Sequence, residues 1–304
     1  MMIKPEQSLL EMKPSGKFLV AVDSDGCAFD AMGIKQRECF CPMMIGYFGL
    51  QPVAEAAREC KMFADLFSKT RGANRHKTIV RILTELLPSH PKVKQRNFKV
   101  PQFEHYFQWV NDPNSLLSND GLEKAIQASS NPDERKEFEL ALTWSRRVNE
   151  MVAEIVKDVP LFPYVRQSLH KASAIADIIV CSATPTEAIE REWAEHDLRQ
   201  YIKVVAGQET GSKAEHLAIV SQKYDVDKII MLGDALGDLD AAKQNNVLFY
   251  PIIPGAEEAS WKRFYDEAFN KFMNGIYAGA YAESLITVFE NALPDTPPWQ
   301  RVEM

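Results

Sequence analysis

Asp23 and Asp25 stand two residues apart in Asp23-Ser24-Asp25-Gly26, directly after an apolar run. A third carboxylate, Asp234, follows Gly233 at the end of another apolar run, with Asp238 and Asp240 just beyond. Ser182-Ala183-Thr184 closes a further run, and Lys213 follows Gly211-Ser212. Clustered carboxylates repel one another and call for a cation, and an all-oxygen donor set favours Mg²⁺ over zinc. A carboxylate beside a dication and an ammonium stays ionised and can attack phosphorus as a nucleophile. A second carboxyl two residues later can serve as acid and then as base. The Ser182 hydroxyl and the Lys213 ammonium suit phosphoryl oxygens. Gly26 lets the chain turn sharply away.

These groups meet only if the elements before them converge. Residues 17–23 (KFLVAVD), 175–181, 203–206, 228–232 and 247–250 are short runs apolar on both faces, as buried parallel strands are. Between the last four, the patterns predict helices over 185–198, 213–223 and 238–245. Strands alternating with helices imply right-handed crossovers and a parallel sheet covered on both faces. Ligands of such sheets sit beyond the carboxyl ends of the strands, which is where the reactive residues fall.

From Gly33 to Asp158 the sequence shows helical patterns only, over 52–68, 75–87, 101–110, 119–129 and 133–157. An interval of that length is too long for a loop and reads as an inserted all-α cap domain, 33–158. The α/β core is then 1–32 with 159–304, ending in a helical, aromatic-rich tail over 257–293 whose rings read as core packing. The fold class is α/β, a doubly wound parallel sheet with a helical insert.

LVAVDSDG at 19–26 resembles the first motif of the haloacid dehalogenase superfamily, an apolar strand followed by Asp-x-Asp-Gly. IIVCSAT at 178–184 resembles the second, TGSKAEHL around Lys213 the third, and MLGDALGDLDAAKQ at 231–244 the fourth. The four motifs occur in order, and the insert falls where that superfamily places a helical cap. The resemblance implies that Asp23 is the nucleophile and becomes an aspartyl phosphate. It implies that Asp25 protonates the leaving group and later activates water. Mg²⁺ would be held by the Asp23 carboxylate, the Asp25 backbone carbonyl and Asp234. Asp238 would support the metal or orient Lys213. Ser182, with Ala183, and Lys213 would hold the phosphoryl group.

Superfamily dehalogenases lack the second aspartate, so Asp25 favours phosphate-ester hydrolysis of a small phosphorylated metabolite. Phosphonate hydrolysis, which recruits a cap lysine (Lys35 and Lys61 lie in the insert), and phosphomutase chemistry share the core motifs and stay open, as does a non-catalytic binding protein. In the cap, the basic stretch Lys69–Lys77 includes Arg71 and Arg75, which could contact an anionic substrate; a solvated loop is the plainer reading, as it is for Lys92–Arg96.

Composition sets the outer limits. The 304 residues carry 35 Lys+Arg and 42 Asp+Glu, a net charge of −7, which argues against general nucleic-acid binding. The insert is mildly basic and the remainder acidic. No apolar run is long enough for a membrane span, and MMIKPEQSLLEMKPSGK lacks a signal-peptide pattern. Five cysteines, Cys27, Cys39, Cys41, Cys60 and Cys181, make an odd, sparse set that suggests packing thiols in the reducing cytoplasm. No second pair follows Cys39-Phe40-Cys41 at zinc spacing, and the six histidines are scattered.

Overall fold

A computed structural model describes residues 9–300. The chain divides into two compact units. One takes the described residues up to 32 together with 158–293; the other takes 33–157 together with 294–300.

The first unit is built on five parallel strands: β1 (Phe18–Val22), β2 (Ala176–Cys181), β3 (Val204–Ala206), β4 (Ile229–Gly233) and β5 (Leu248–Pro251), in the order β3-β2-β1-β4-β5. Each falls within a residue of its apolar run. The β2 residues are all buried, which is why no polar alternation marks the sequence. Strand order runs outward from β1 to β3 and then returns to β4 and β5. With right-handed crossovers, this reversal puts helices on both faces and opens a crevice at the carboxyl ends of β1 and β4. The doubly wound α/β fold expected from the sequence is thus the fold observed.

Helices Lys213–Val220, Leu236–Gln244 and Ala280–Ala292 cover one face. Their Leu217, Leu239 and Phe289 pack with Leu19, Ala21, Ile179, Met231 and Phe249 of the sheet. The tail starts as a continuous helical run, Glu257–Met273, and breaks at Gly275 and Gly279, both at positive φ, before Ala280. Trp261, Phe264, Phe269, Phe272, Tyr277 and Phe289 of the tail are buried, whereas Tyr265 and Tyr281 are half-buried.

The second unit is helical. Glu104–Asn111, Asn119–Ala128 and Pro132–Ile155 start within three residues of the expected positions, the last two behind the N-caps Ser118 and Asn131. Its core is aromatic: Trp144, Tyr106 and Phe48 are fully buried, with His76 among them. The short helices Pro91–Gln95 here and Val165–Ser173 in the first unit escape the sequence patterns, and so does a longer one. Residues 31–47 form a continuous run, Ala31–Ile34, a π turn Lys35–Phe40 and Cys41–Tyr47, with Pro42 inside it. A proline ring in a helix collides with the carbonyl four residues back. The π turn widens the helix just before the proline, and the Cys41 N–H reaches Gln36 O, five residues back. The same device recurs at Ile82–Leu86, where the Leu87 N–H bonds Ile82 O ahead of Pro88, so the helix begun at Arg75 runs on to Ser89.

The sequence patterns place 159–304 in the α/β core. Among the described residues, 294–300 instead group with the helical unit. The Asp295 carboxylate accepts from Lys69 Nζ at 2.5 Å and Arg81 at 2.8 Å, and the Trp299 ring lies on Phe63 and His90. The cause is a charge match and an aromatic pocket between residues as far apart as 214 and 226 positions, which sequence cannot reveal. Among the described residues no helix is long and apolar enough to cross a membrane.

Candidate active site

β1 ends at Val22, and its pairing with β4 continues one step further through the Asp23 N–H, which donates to Leu232 O at 3.0 Å. The register sets Val22 opposite both Val180 and Leu232. Asp23, Ser182 and Asp234 therefore leave the sheet at the same edge, beside the crevice. A tight turn follows Asp23. The N–H groups of Cys27, Ala28 and Phe29 all point at Ser24 O, the Gly26 N–H returns to Phe29 O, and Gly26 sits at φ 81°. A side chain at that φ would be strained, which accounts for the glycine. Two tryptophans brace the turn: Trp193 donates to Ser24 Oγ at 3.0 Å, and Trp261 of the tail donates to Cys27 O at 2.8 Å.

Lys213 begins its helix behind Ser212, whose side chain and backbone pair reciprocally with Glu215. That cap aims the lysine inward. Its Nζ lies 2.8 Å from Asp23 Oδ2 and 2.5 Å from Asp238 Oδ1. Asp238 is fully engaged, because its Oδ2 also accepts the N–H groups of Asp234 and Ala235 and so caps the helix Leu236–Gln244. Gly233 makes this possible. A Cβ there would stand 2.4 Å from the Cβ of Asp238, closer than carbon atoms tolerate.

The electrostatics follow from burial. Asp23, Asp234 and Asp238 are buried, and one oxygen of each lies within 4.8 Å of the others. Burial pushes the Asp23 carboxyl well above the usual carboxylate range; Lys213 opposes the rise, while Asp238 and Asp234 add to it. Burial works against the charge on Lys213, yet Asp23 and Asp238 outweigh it and raise its pKa, so it stays an ammonium. Three buried carboxylates gathered this closely repel one another when ionised. An all-oxygen set of this kind fits a hard dication such as Mg²⁺. Asp23 and Asp234 have the geometry to ligate it, and Asp238, spent on Lys213 and on two backbone N–H groups, fits the orienting role better than the ligating one.

Of the residues singled out in the sequence, Asp23, Asp234, Asp238 and Lys213 form this cluster. Ser182 is buried at the end of β2 with its Oγ accepting the Thr184 N–H at 3.3 Å, and Ala183 is exposed beside it. Asp25 is half-buried, and its Oδ2 accepts the Thr184 hydroxyl at 2.8 Å. Asp240 is exposed on its helix. Arg71 and Arg75 belong to the helical unit and are engaged by it. Buried Arg71 donates to Leu66 O, and Arg75 donates to Ser145 and Asn149 Oδ1 with its guanidinium over the Phe40 ring. Lys61 is fully buried, 2.5 Å from Asp65. Thr184, Trp193 and Trp261 were not among the sequence candidates. Thr184 stood in the Ser-Ala-Thr run, but its partner is 159 positions away.

No family model matches the chain, and no curated protein matches it. Solved structures do resemble it. A haloacid dehalogenase superfamily hydrolase of subfamily IA from Geobacter sulfurreducens is 15% identical, with 78% of this chain and 88% of that one covered and a TM-score of 0.39. A protein described as a predicted phosphoglycolate phosphatase from Haemophilus somnus is 13% identical over 80% and 92%, with a TM-score of 0.45. A haloacid dehalogenase-like family hydrolase from Xanthomonas campestris is 12% identical over 85% and 95%, with a TM-score of 0.40.

Proposed function

We propose that the protein is a Mg²⁺-dependent phosphatase of small phosphorylated metabolites, working through an aspartyl phosphate on Asp23. The observation that carries this reading is the Lys213 ammonium held between Asp23 and Asp238 beside Asp234, at the edge where β1, β2 and β4 end. Mg²⁺, held by the Asp23 and Asp234 carboxylates and the Asp25 carbonyl, would neutralise charge on the phosphoryl oxygens.

Each step is assigned to a residue of this chain. The Asp23 carboxylate attacks phosphorus, and the bond from phosphorus to the ester oxygen breaks. That oxygen takes the proton of the Asp25 carboxyl and leaves as an alcohol. Asp25, now a carboxylate, takes a proton from water, whose oxygen attacks the same phosphorus. The bond to Asp23 breaks, inorganic phosphate leaves, and both aspartates return to their starting states. Lys213, Ser182 and the Ala183 N–H offset the phosphoryl charge throughout. The helical unit is read as the cap that selects the substrate, with Arg71 and Arg75 supporting its framework through the bonds described above. Five unpaired, buried thiols suit a cytoplasmic site of action.

Phosphonate cleavage through a cap lysine would need an amine able to condense with an aldehyde, and Lys61 is enclosed with Asp65 instead. Phosphate release from a panel of sugar phosphates, nucleotides and organic acid phosphates, with Mg²⁺ and with chelator, tests the reading. Asp23→Asn should abolish turnover and leave the fold intact. Undiminished hydrolysis by that variant, or equal hydrolysis in chelator, would overturn it.

A further inference from the structure

We infer that Thr184 is a positioning residue for the acid–base step: its hydroxyl, 2.8 Å from Asp25 Oδ2, fixes the orientation of the carboxyl that gives a proton to the leaving oxygen and later takes one from water. The inference rests on the phosphatase reading and deepens it.

Thr184 is itself held from several sides. Its N–H donates to Ser182 Oγ, and its carbonyl accepts the Gln208 N–H at 3.0 Å. Pro185 follows and fixes the backbone into the next helix. Glu209 clamps the other side of the turn through Thr186 N and Oγ1 at 3.0 and 2.9 Å. Gly207 lets the two loops meet: a Cβ there would lie 2.6 Å from Thr186 N and 2.8 Å from Thr184 O. The end of β3 thus locks the loop after β2, and that loop reaches Asp25 through one hydroxyl.

A hydroxyl suits this task for a chemical reason. It donates to Oδ2 whether Asp25 is a carboxylate or a carboxyl protonated on Oδ1, so the bond survives both protonation states and leaves Oδ1 to carry the transferred proton. The β-branch of threonine restricts χ1 and leaves the hydroxyl little choice of direction. A lysine or an arginine would instead favour the charged form and withhold the proton.

The test is a leaving-group series: aryl phosphates from 2,4-dinitrophenyl to phenyl phosphate, hydrolysed by wild type, Thr184→Val and Thr184→Ser. Good leaving groups depart without a proton, and poor ones need the acid. General acid–base catalysis contributes about 10²–10⁴-fold, so Thr184→Val should lose roughly 10–100-fold in kcat on phenyl phosphate. On 2,4-dinitrophenyl phosphate it should stay close to wild type, giving a steeper dependence of rate on leaving-group pKa. Thr184→Ser should restore most of the loss. An equal loss across the series, or none anywhere, would overturn the role of Thr184 and leave the phosphatase reading standing. A wild type inactive on every aryl phosphate and on the metabolite panel would overturn both. Should Thr184→Val not fold, a Thr184→Ser dependence as steep as expected for the valine, or an unaltered slope in Thr184→Ala, would likewise overturn it.

Discussion

Gly233 and Asp238 touch in a way only glycine permits. A Cβ at 233 would meet the Asp238 Cβ at 2.4 Å and its Cγ at 2.5 Å. These are the rigid inner atoms of Asp238, so the helix Leu236–Gln244 would have to move. Forcing extra carbon into a packed site costs about 1–3 kcal/mol. Asp238 also anchors Lys213, so Gly233→Ala is expected to lower both stability and activity. A denaturant titration should show a lower midpoint, and phosphate release should fall at least tenfold. Wild-type behaviour in both would mean that the contact relaxes freely.

Lys213 is bonded to two carboxylates of the cluster at once, Asp23 and Asp238. Removing one partner of a buried ion pair costs on the order of 3–5 kcal/mol, because the other charge is left buried. Lys213→Met is therefore expected to unfold more easily than Asp240→Ala, a change on the exposed face of the next helix. Melting temperatures of the two variants decide the matter.

Magnesium should stabilise the protein by linkage. A ligand at a hundredfold its Kd that binds only the native state adds about 2.7 kcal/mol. For a domain of this size that is a rise in Tm on the order of 5–10 °C. Asp234→Asn should remove most of the rise, whereas Asp177→Asn, on the same sheet but hydrogen-bonded to Tyr224 and Lys203, should retain it. A wild-type Tm indifferent to Mg²⁺ and chelator would count against a metal at this site.

The sheet and the carboxylate cluster were legible because each strand is apolar on both faces and each reactive residue directly follows one. Val22 to Asp23 and Gly233 to Asp234 are single steps in sequence. What was hidden depended on contacts far apart in the chain. Thr184 meets Asp25 across two loops, Trp261 reaches Cys27 from the tail, and Asp295 finds Lys69 and Arg81. The helix over 31–47 was masked by Gly33, Pro42 and Gly46, all signals of a break. The π turn before Pro42 absorbs the proline, and nothing in residue composition announces such a turn. The charge of Arg71 and Arg75 is visible in sequence, whereas their bonds to Leu66 O and Asn149 are not.

His76 makes the helical unit sensitive to acid. Its Nδ1 lies 2.8 Å from the Tyr106 hydroxyl, with the Trp109 and Trp144 rings around it. Burial, helped by Arg75, pushes its pKa down from 6.5 to about 3. The folded state thus refuses a proton that the unfolded chain accepts below about 6.5. Stability from this group is fully present above 6.5 and falls as the pH drops toward 3, by up to about 1.4 kcal/mol per pH unit. His76→Phe, lacking the titrating ring, should show a shallower loss of unfolding free energy between pH 6.5 and 5 than wild type. Equal slopes would mean that His76 titrates normally.

Trp193 and Ser24 offer a two-residue test of what holds the turn between Asp23 and Asp25. The indole N–H donates to Ser24 Oγ at 3.0 Å, and both residues are fully buried. Trp193→Phe keeps a ring to pack edge-on against Phe29, now 5.6 Å away, but strands the Ser24 hydroxyl. A buried polar group without its partner costs about 1–3 kcal/mol, whereas removing both partners can be nearly neutral. The double variant Trp193→Phe/Ser24→Ala should therefore recover part of the stability that Trp193→Phe loses. Phosphate release should follow the same order, since the Ser24 carbonyl gathers the N–H groups of Cys27, Ala28 and Phe29 that set the position of Asp25. Additive losses in the cycle would show that the two side chains act independently, and the turn would then owe its shape to the backbone bonds alone.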